Sequence, residues 1–97
     1  MEKSIIRTYS AGVFYGEVKE IEHEVDGVSA TIQHCRRLWF WDGAASLSQL
    51  AVEGSSKPQN CKFTVTVEEM KVFGVIEIIP CTKEAQKSIE SVKEWRA

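Results

Sequence analysis

The strongest constraint on the fold comes from two long strand-like segments that a tight turn joins. Residues 13–25 and 28–40 are rich in β-branched and aromatic residues, and Asp26 and Gly27 stand between them. Asp-Gly is a preferred pair for the type I′ turn, which connects antiparallel strands. The sequence therefore predicts a long β-hairpin. Apolar residues of its first strand change face around residues 16–18, which indicates a bulge or a strong twist there.

Alternation in the second strand divides its side chains between two faces. Val28, Ala30 and Ile32 alternate with polar residues, which predicts that even-numbered side chains face the core. Continued along the strand, the inner set is His34, Arg36, Leu38 and Phe40. The outer set is Cys35, Arg37, Trp39 and Trp41. This outer set is too apolar for a solvated surface, so either the strand ends near Arg36 or both faces are covered.

The remaining strands are shorter. Residues 4–9 form a first strand that Gly12 and its neighbours interrupt, and residues 62–68 form a strand with alternating apolar positions. The positions expected inside are Cys61, Phe63, Val65 and Val67. Residues 72–79 are almost continuously apolar, which is typical of a central strand, and Pro80 ends this run.

Two helices are indicated by their termini. Ser46 followed by Gln49 is a capping-box pattern, and Gly54 suits the position after the end of a helix. Residues 54–60 then form a polar loop. Thr82 is the expected cap of a second helix that runs to about Val92, after which Trp95 is expected to pack the tail.

These elements predict a single α+β domain over residues 1–97. We expect a small twisted antiparallel sheet or half-open barrel of about five strands with two short helices. The length leaves no room for a second core. Small domains with surplus apolar surface are commonly stabilised by self-association, so we expect a homo-oligomer.

Charge and cysteine content exclude several function classes. The formal net charge is −2, whereas a duplex nucleic-acid binder needs a broad basic face. Three cysteines without paired spacing indicate reduced thiols in a cytoplasmic protein, and no metal site or cofactor is expected. The N-terminus lacks the apolar core of a signal peptide, and no run is long enough for a membrane helix.

The segment from Arg36 to Leu50, RRLWFWDGAASLSQL, is the predicted functional site. Tryptophan faces stack on nucleobases, and the planar arginine fork matches phosphate oxygens. A helix that begins near Ser46 would present unpaired N–H groups to an anion. Ser48 and Gln49 add neutral donors, and the loop containing Lys57 and Asn60 could close over a ligand. The pattern predicts a pocket for a nucleotide or a small cyclic dinucleotide.

Other interpretations of the same residues remain open. Aromatic residues at alternating strand positions more often form a core or a subunit interface than a ligand platform. Adjacent arginines are usually solvated or paired with carboxylates, and Ser46 more often only caps a helix. No nucleophile with a positioned base is visible, so we do not expect an enzyme.

The same segment carries a family resemblance. RRLWFWDGAASLSQLAVEG, with SKPQNCKF and IEIIPCTKEAQKSI further along, resembles a family of short phage and prophage proteins over nearly the whole chain except residues 20–29. That family is similar to phage sponge proteins, which assemble as oligomers and sequester cyclic-nucleotide signals of bacterial immunity such as those of CBASS defence.

The resemblance implies a phage-encoded, non-catalytic sponge in the cytoplasm of the infected bacterium, with a cyclic dinucleotide as ligand. The ligand-binding positions that it implies are Arg36, Arg37, Trp39, Trp41, Ser46, Ser48, Gln49, Lys57 and Asn60. Tryptophan would stack on bases, arginine and lysine would bind phosphate, and the other polar residues would contact base edges. The alternative is a small phage structural or protein-interaction module, with the tryptophan-rich segment as its interface.

Overall fold

A computed structural model describes residues 2–97 as one antiparallel sheet with two helices on one of its faces, which confirms the predicted α+β class. The strands are β1 (Ser4–Thr8), β2 (Val13–Glu24), β3 (Gly27–Phe40), β4 (Lys62–Phe63), β5 (Val67–Phe73) and β6 (Val75–Pro80). The helices are α1 (Leu47–Glu53) and α2 (Lys83–Ser91), and a short 3₁₀ turn spans Pro58–Asn60.

The sheet is an open antiparallel layer built around the long hairpin. Its strand order is β4-β3-β2-β1-β6, and β5 also pairs with β3. Strand β3 is long enough to pair with β5 along its first half and with β4 near its end. Strands β5 and β6 therefore lie at opposite edges of the sheet.

The hairpin forms as predicted, but its turn differs from the expected type. Glu24 pairs with Gly27, so the turn residues are Val25 and Asp26 rather than Asp26 and Gly27. Neither turn residue has a positive φ, whereas a type I′ turn requires it at both positions. The positive φ belongs to Gly27, at 140°. The prediction of a type I′ turn was wrong.

Two register shifts confirm the predicted irregularity in the first half of the hairpin. The pairing of β2 with β3 shifts between Tyr15 and Glu17 and again between Val18 and Glu20. At the first shift Gly16 lies beside Cys35, where a Cβ on the glycine would come within 2.6 Å of the Cys35 Cβ. The close approach of the two backbones requires glycine at this position.

The first shift also exchanges the two faces of β3. His34 adopts a φ of 48°, in the left-handed region, and leaves the regular ladder. Before it, Ala30 and Ile32 face one core, whereas after it Leu38 faces the other. A single alternation from Val28 to Phe40 therefore does not describe one buried face. Phe40, expected in the core, is exposed.

Each face of the sheet has its own core. On one face, Ile5 and Tyr15 pack with Phe63 against the helices, which contribute Leu50 and Ile89. The opposite face is lined by a second cluster, whose buried members are Ile6, Phe14, Ala30, Ile32, Cys35 and Val72. The helices thus cover only the first face.

The apolar run at residues 72–79 is not a central strand. Gly74, at a φ of 69°, separates β5 from β6, and each pairs along one edge only within residues 2–97. The strand predicted over residues 62–68 is also divided, because Thr64 and Val65 leave the ladder between β4 and β5. Phe63 is buried as predicted, but Val65 and Val67 are exposed.

Both predicted helix caps are present. The Ser46 hydroxyl accepts a hydrogen bond from the Gln49 N–H, and the Thr82 hydroxyl accepts one from the Ala85 N–H. Gly54 follows α1 with a positive φ, as expected. Over the residues that the structure describes, neither helix has the length or the apolar character to cross a membrane.

Candidate functional site

The predicted site segment divides among the end of β3, the turn at Asp42 and Gly43, and α1. Its two arginines lie on opposite faces of the sheet, because Arg36 pairs with Tyr15 and Arg37 pairs with Phe14 in the ladder. The segment is thus not one continuous surface.

Arg36 belongs to the interior of the protein. It is 5% exposed, and its guanidinium donates hydrogen bonds to the carbonyl oxygens of Phe63, Thr64, Ile89 and Val92 at 3.0–3.2 Å. Burial lowers the pKa of this guanidinium, against the opposing effect of two nearby glutamates. Because these carbonyls occupy most of its donors, Arg36 binds the end of α2 and is removed from the ligand set.

Arg37, Trp39 and Trp41 line one groove at the open end of the sheet. The turn between β1 and β2 forms its other wall, and its volume is about 410 Å³. We call it the Trp39 groove. Its lining residues are Ser10, Ala11, Gly12, Val13, Arg37, Leu38, Trp39 and Trp41. The Arg37 guanidinium lies 4.8 Å from the centroid of the Phe14 ring, which supports the arginine from below.

Trp39 is also part of an exposed aromatic pair. Its ring stacks on Trp95 with centroids 5.1 Å apart, and the two rings are 58% and 45% exposed. The Lys62 ammonium lies 5.6 Å from one ring centroid and 5.4 Å from the other. The Trp95 N–H bonds the Phe63 carbonyl, so Trp95 holds the tail as predicted. Lys62 was missed because its position on a short strand gave no signal.

Ser46, Ser48 and Gln49 lie at the start of α1, outside the lining of the Trp39 groove. The Gln49 side chain accepts a hydrogen bond from the Ala45 N–H and donates one to Glu53. Ser46 caps the helix, and Ser48 is exposed. Ser46 and Gln49 therefore stabilise the start of the helix itself.

The loop with Lys57 and Asn60 is tied to the turn at Asp42 and Gly43. The Asn60 amide donates to the Asp42 carboxylate at 3.0 Å, and the Ser56 N–H donates to the Gly43 carbonyl at 3.1 Å. Two hydrogen bonds lower the pKa of Asp42, and the one from Asn60 has a larger effect than the one from the Gly43 N–H. These bonds fix the loop, so the structure gives no support for its expected closure over a ligand.

Neither Cys35 nor Cys81 is an activated nucleophile. Cys35, Cys61 and Cys81 are free and buried. Burial raises the pKa of Cys35, and it raises the pKa of Cys81 to about 11. A thiolate nucleophile needs the opposite shift. In the part of the chain that the structure describes, no three His, Cys, Asp or Glu side chains cluster as metal ligands would.

Comparison with known proteins gives a family and no activity. No curated protein and no solved structure matches the chain. A family model described as a domain of unknown function, DUF6948, matches residues 1–89. The match includes every residue that lines the Trp39 groove and ends before Trp95. The chain therefore belongs to the DUF6948 family.

Proposed function

We propose that this chain is a non-catalytic binding protein that holds a cyclic nucleotide in the Trp39 groove. The observation that carries the proposal is that Arg37, Trp39 and Trp41 line the same concave surface. The volume of about 410 Å³ falls in the range of small-molecule sites, roughly 300–1,000 Å³. In the cytoplasm of an infected bacterium, such a phage protein would act by sequestering immune signals.

The chemistry of the groove suits a nucleotide. Arg37 presents a planar cation for phosphate oxygens, and Phe14 beneath it restricts the directions in which the guanidinium can point. Trp39 offers its ring to a nucleobase, since the ring is more than half exposed although Trp95 stacks on it. On the opposite wall Thr8 engages the Ala11 N–H and the Gly12 carbonyl, which leaves the Ala11 carbonyl and the Gly12 N–H for base edges or sugar hydroxyls.

Absence of turnover is the second part of the proposal. The groove lining contains no carboxylate, histidine or cysteine that would serve as a general base or nucleophile. A bound ligand would therefore be released unchanged. Heating the complex and analysing the supernatant by chromatography should return intact nucleotide, whereas a hydrolysed product would contradict the sponge function.

Binding is tested by isothermal titration against cyclic mononucleotides, cyclic dinucleotides and cyclic ADP-ribose isomers. We expect at least one to bind with micromolar affinity or better. Arg37→Ala should weaken that binding about tenfold or more, and Trp39→Ala should cost about 1–3 kcal/mol. No heat from any member of the panel at micromolar ligand would contradict the proposal.

Two control variants separate the groove from its surroundings. Lys87→Ala removes an exposed cation on α2 and should leave the affinity unchanged. Trp95→Ala removes the stacking partner of Trp39 without removing a groove residue, and it should change the affinity less than about threefold. If both tryptophan variants weaken binding equally, the ligand lies on the aromatic pair rather than in the groove.

The exposed pair of Trp39 and Trp95 favours a second candidate function, a protein-interaction module. Tryptophan is enriched at the energetic centres of interfaces, and the Lys62 ammonium beside the pair can bind an acidic residue of a partner. Trp95→Ala should then reduce capture of a defined partner from infected cells, or incorporation into purified virions. Unchanged capture and incorporation would exclude this surface.

A further inference from the structure

Strand β5 has one edge paired and one edge open. It pairs with β3 from Val67 to Phe73, and no strand among residues 2–97 pairs with its other edge. Alternate backbone N–H and C=O groups of an edge strand point away from the sheet, and they can accept another strand. Seven residues are enough for a ladder with a second chain.

The sequence of β5, VEEMKVF, is complementary to itself when two copies run antiparallel. A two-fold axis perpendicular to a continuous sheet places one residue opposite its own copy. The registers nearest the strand centre therefore place the axis at Glu69, Met70 or Lys71. The charges on the strand distinguish these three registers.

Only the register centred on Met70 sets opposite charges against each other. It places Glu69 of each copy opposite Lys71 of the other, which gives two cross-strand ion pairs. The registers centred on Glu69 or Lys71 place two like charges directly opposite, which is destabilising. The favoured register also sets the exposed Val67 against Phe73, which is 60% exposed.

Contacts within the chain keep the two charged side chains in place on the sheet. The Glu69 carboxylate accepts a hydrogen bond from Gln33 and lies 3.5 Å from the Lys19 ammonium. The Lys71 ammonium lies 2.8 Å from a Glu22 carboxylate oxygen. A carboxylate accepts several hydrogen bonds and an ammonium donates three, so both groups retain capacity for a partner across the edge.

We propose that the open edge of β5 binds the same edge of a second copy of this chain, in the register that pairs Glu69 with Lys71. The two sheets then join into one continuous antiparallel sheet around a two-fold axis at Met70. This interface shares no residue with the Trp39 groove. The dimer can therefore be tested independently of ligand binding in the groove.

Charge reversal tests the register by sedimentation equilibrium. Glu69→Lys or Lys71→Glu alone sets like charges opposite at two places in the dimer, so each should weaken dimerisation about tenfold or more. The double variant restores both cross-strand pairs with reversed sign and should recover most of the affinity. Glu84→Lys with Lys87→Glu, on α2, is the matched control and should leave the dimer unchanged.

The double variant also separates the interface from effects within the chain. It loses the contacts of Glu69 with Lys19 and of Lys71 with Glu22, so the monomer should melt at a lower temperature than either the wild type or the control. Recovery of the dimer despite this loss is expected only if the two charges meet across the interface. Failure of the double variant to recover, while it remains folded by circular dichroism, overturns the register.

Cross-linking gives a test that does not depend on charge. Directly opposed strand residues have Cα atoms roughly 4.5–5.5 Å apart, which a disulfide can span. Met70→Cys should give a covalent dimer under mild oxidation, and Glu68→Cys should not, because its two copies are about 13 Å apart along the strands. The native cysteines are buried and contribute little background.

Two results together overturn the proposal. The wild type has the mass of one chain at about 100 µM, and Met70→Cys cross-links no more than Glu68→Cys does. A dimer that Trp95→Ala abolishes and that the charge reversals leave intact also overturns the proposal, because its interface is then the aromatic pair. A dimer that follows the charge pattern and cross-links at Met70 establishes it.

Discussion

Arg36 and Arg37 are neighbours in the chain with different roles. The first lies inside the protein and binds carbonyls at the end of α2, and the second is exposed and lines the Trp39 groove. Strand alternation favoured Arg37 over Arg36 for ligand contact, and only the family resemblance kept Arg36 among the candidates. The four carbonyls that surround Arg36 are distant from it in the chain, so no local sequence pattern could predict these contacts.

Removing the Arg36 guanidinium should destabilise the fold strongly. Arg36→Ala leaves several buried carbonyl oxygens without donors, so we expect a loss of at least about 3 kcal/mol in the free energy of unfolding. Arg36→Lys should lose less, since one ammonium replaces part of the fork. Urea denaturation followed by tryptophan fluorescence measures both.

Arg37→Ala is the matched control for this experiment. It removes an exposed arginine that contacts the Phe14 ring, and the expected loss is about 1 kcal/mol or less. Equal effects of the two alanine variants would contradict a structural role that is special to Arg36.

At the level of elements, the helices were predictable, but the strands predicted over residues 62–68 and 72–79 were not. Ser46 and Thr82 are local capping signals, and the structure places both at helix starts. The apolar run at residues 72–79 suggested one central strand, but Gly74 turns the chain between two edge strands. An isolated glycine in a strand pattern is a known sign of a break, although apolar continuity concealed it here.

Thr82 links the two helices, so replacing it should destabilise the fold more than replacing an ordinary helix cap. Its hydroxyl accepts from the Ala85 N–H and donates to the Val52 carbonyl at 2.7 Å. Thr82→Ala should cost about 1–2 kcal/mol in the free energy of unfolding. Thr82→Ser keeps both bonds and should stay within about 0.5 kcal/mol of the wild type in the same urea titration. If serine and alanine are equally destabilising, the methyl group rather than the hydroxyl is responsible.

At the scale of the whole molecule, the groove depends on tertiary structure. The turn at residues 10–13 reaches Arg37 and Trp39 only because β2 pairs with both β1 and β3. The sequence indicated the arginine and the tryptophans through their chemistry. The opposite wall of the groove could not be predicted, because the pairing register of β1, β2 and β3 brings that turn close to Arg37 and Trp39.

Buried thiols should make the whole fold sensitive to alkali. The folded protein raises the pKa of Cys81 from 9.0 to about 11, so the fold favours the neutral thiol. The corresponding stability is fully present below about pH 9 and is lost as the pH rises towards 11. Cys35 and Tyr15, whose pKa values burial also raises, add to the same trend.

Urea unfolding at about pH 7, 9 and 10.5 should therefore show a falling free energy of unfolding. Cys81→Ala should reduce this pH-dependent loss of stability by at most about 2–3 kcal/mol between pH 7 and 10.5, which corresponds to the size of the Cys81 pKa shift. The variant and the wild type are compared by slope, because the substitution also changes packing at neutral pH. Identical slopes would show that Cys81 ionises in the same way in the folded and unfolded chains.

The left-handed residue in β3 has a further consequence for how the chain tolerates length changes. His34 is an extra residue in β3, so even-numbered residues before it serve one core and even-numbered residues after it serve the other. Deleting His34 would place Cys35 opposite Gly16 in a regular ladder, and it would leave Arg36 opposite Tyr15 and Arg37 opposite Phe14. Straightening the strand with His34 still present would instead exchange the faces of the two arginines, because a shift of one residue turns every following side chain over. The bulge and the length of the strand together therefore decide which arginine is buried.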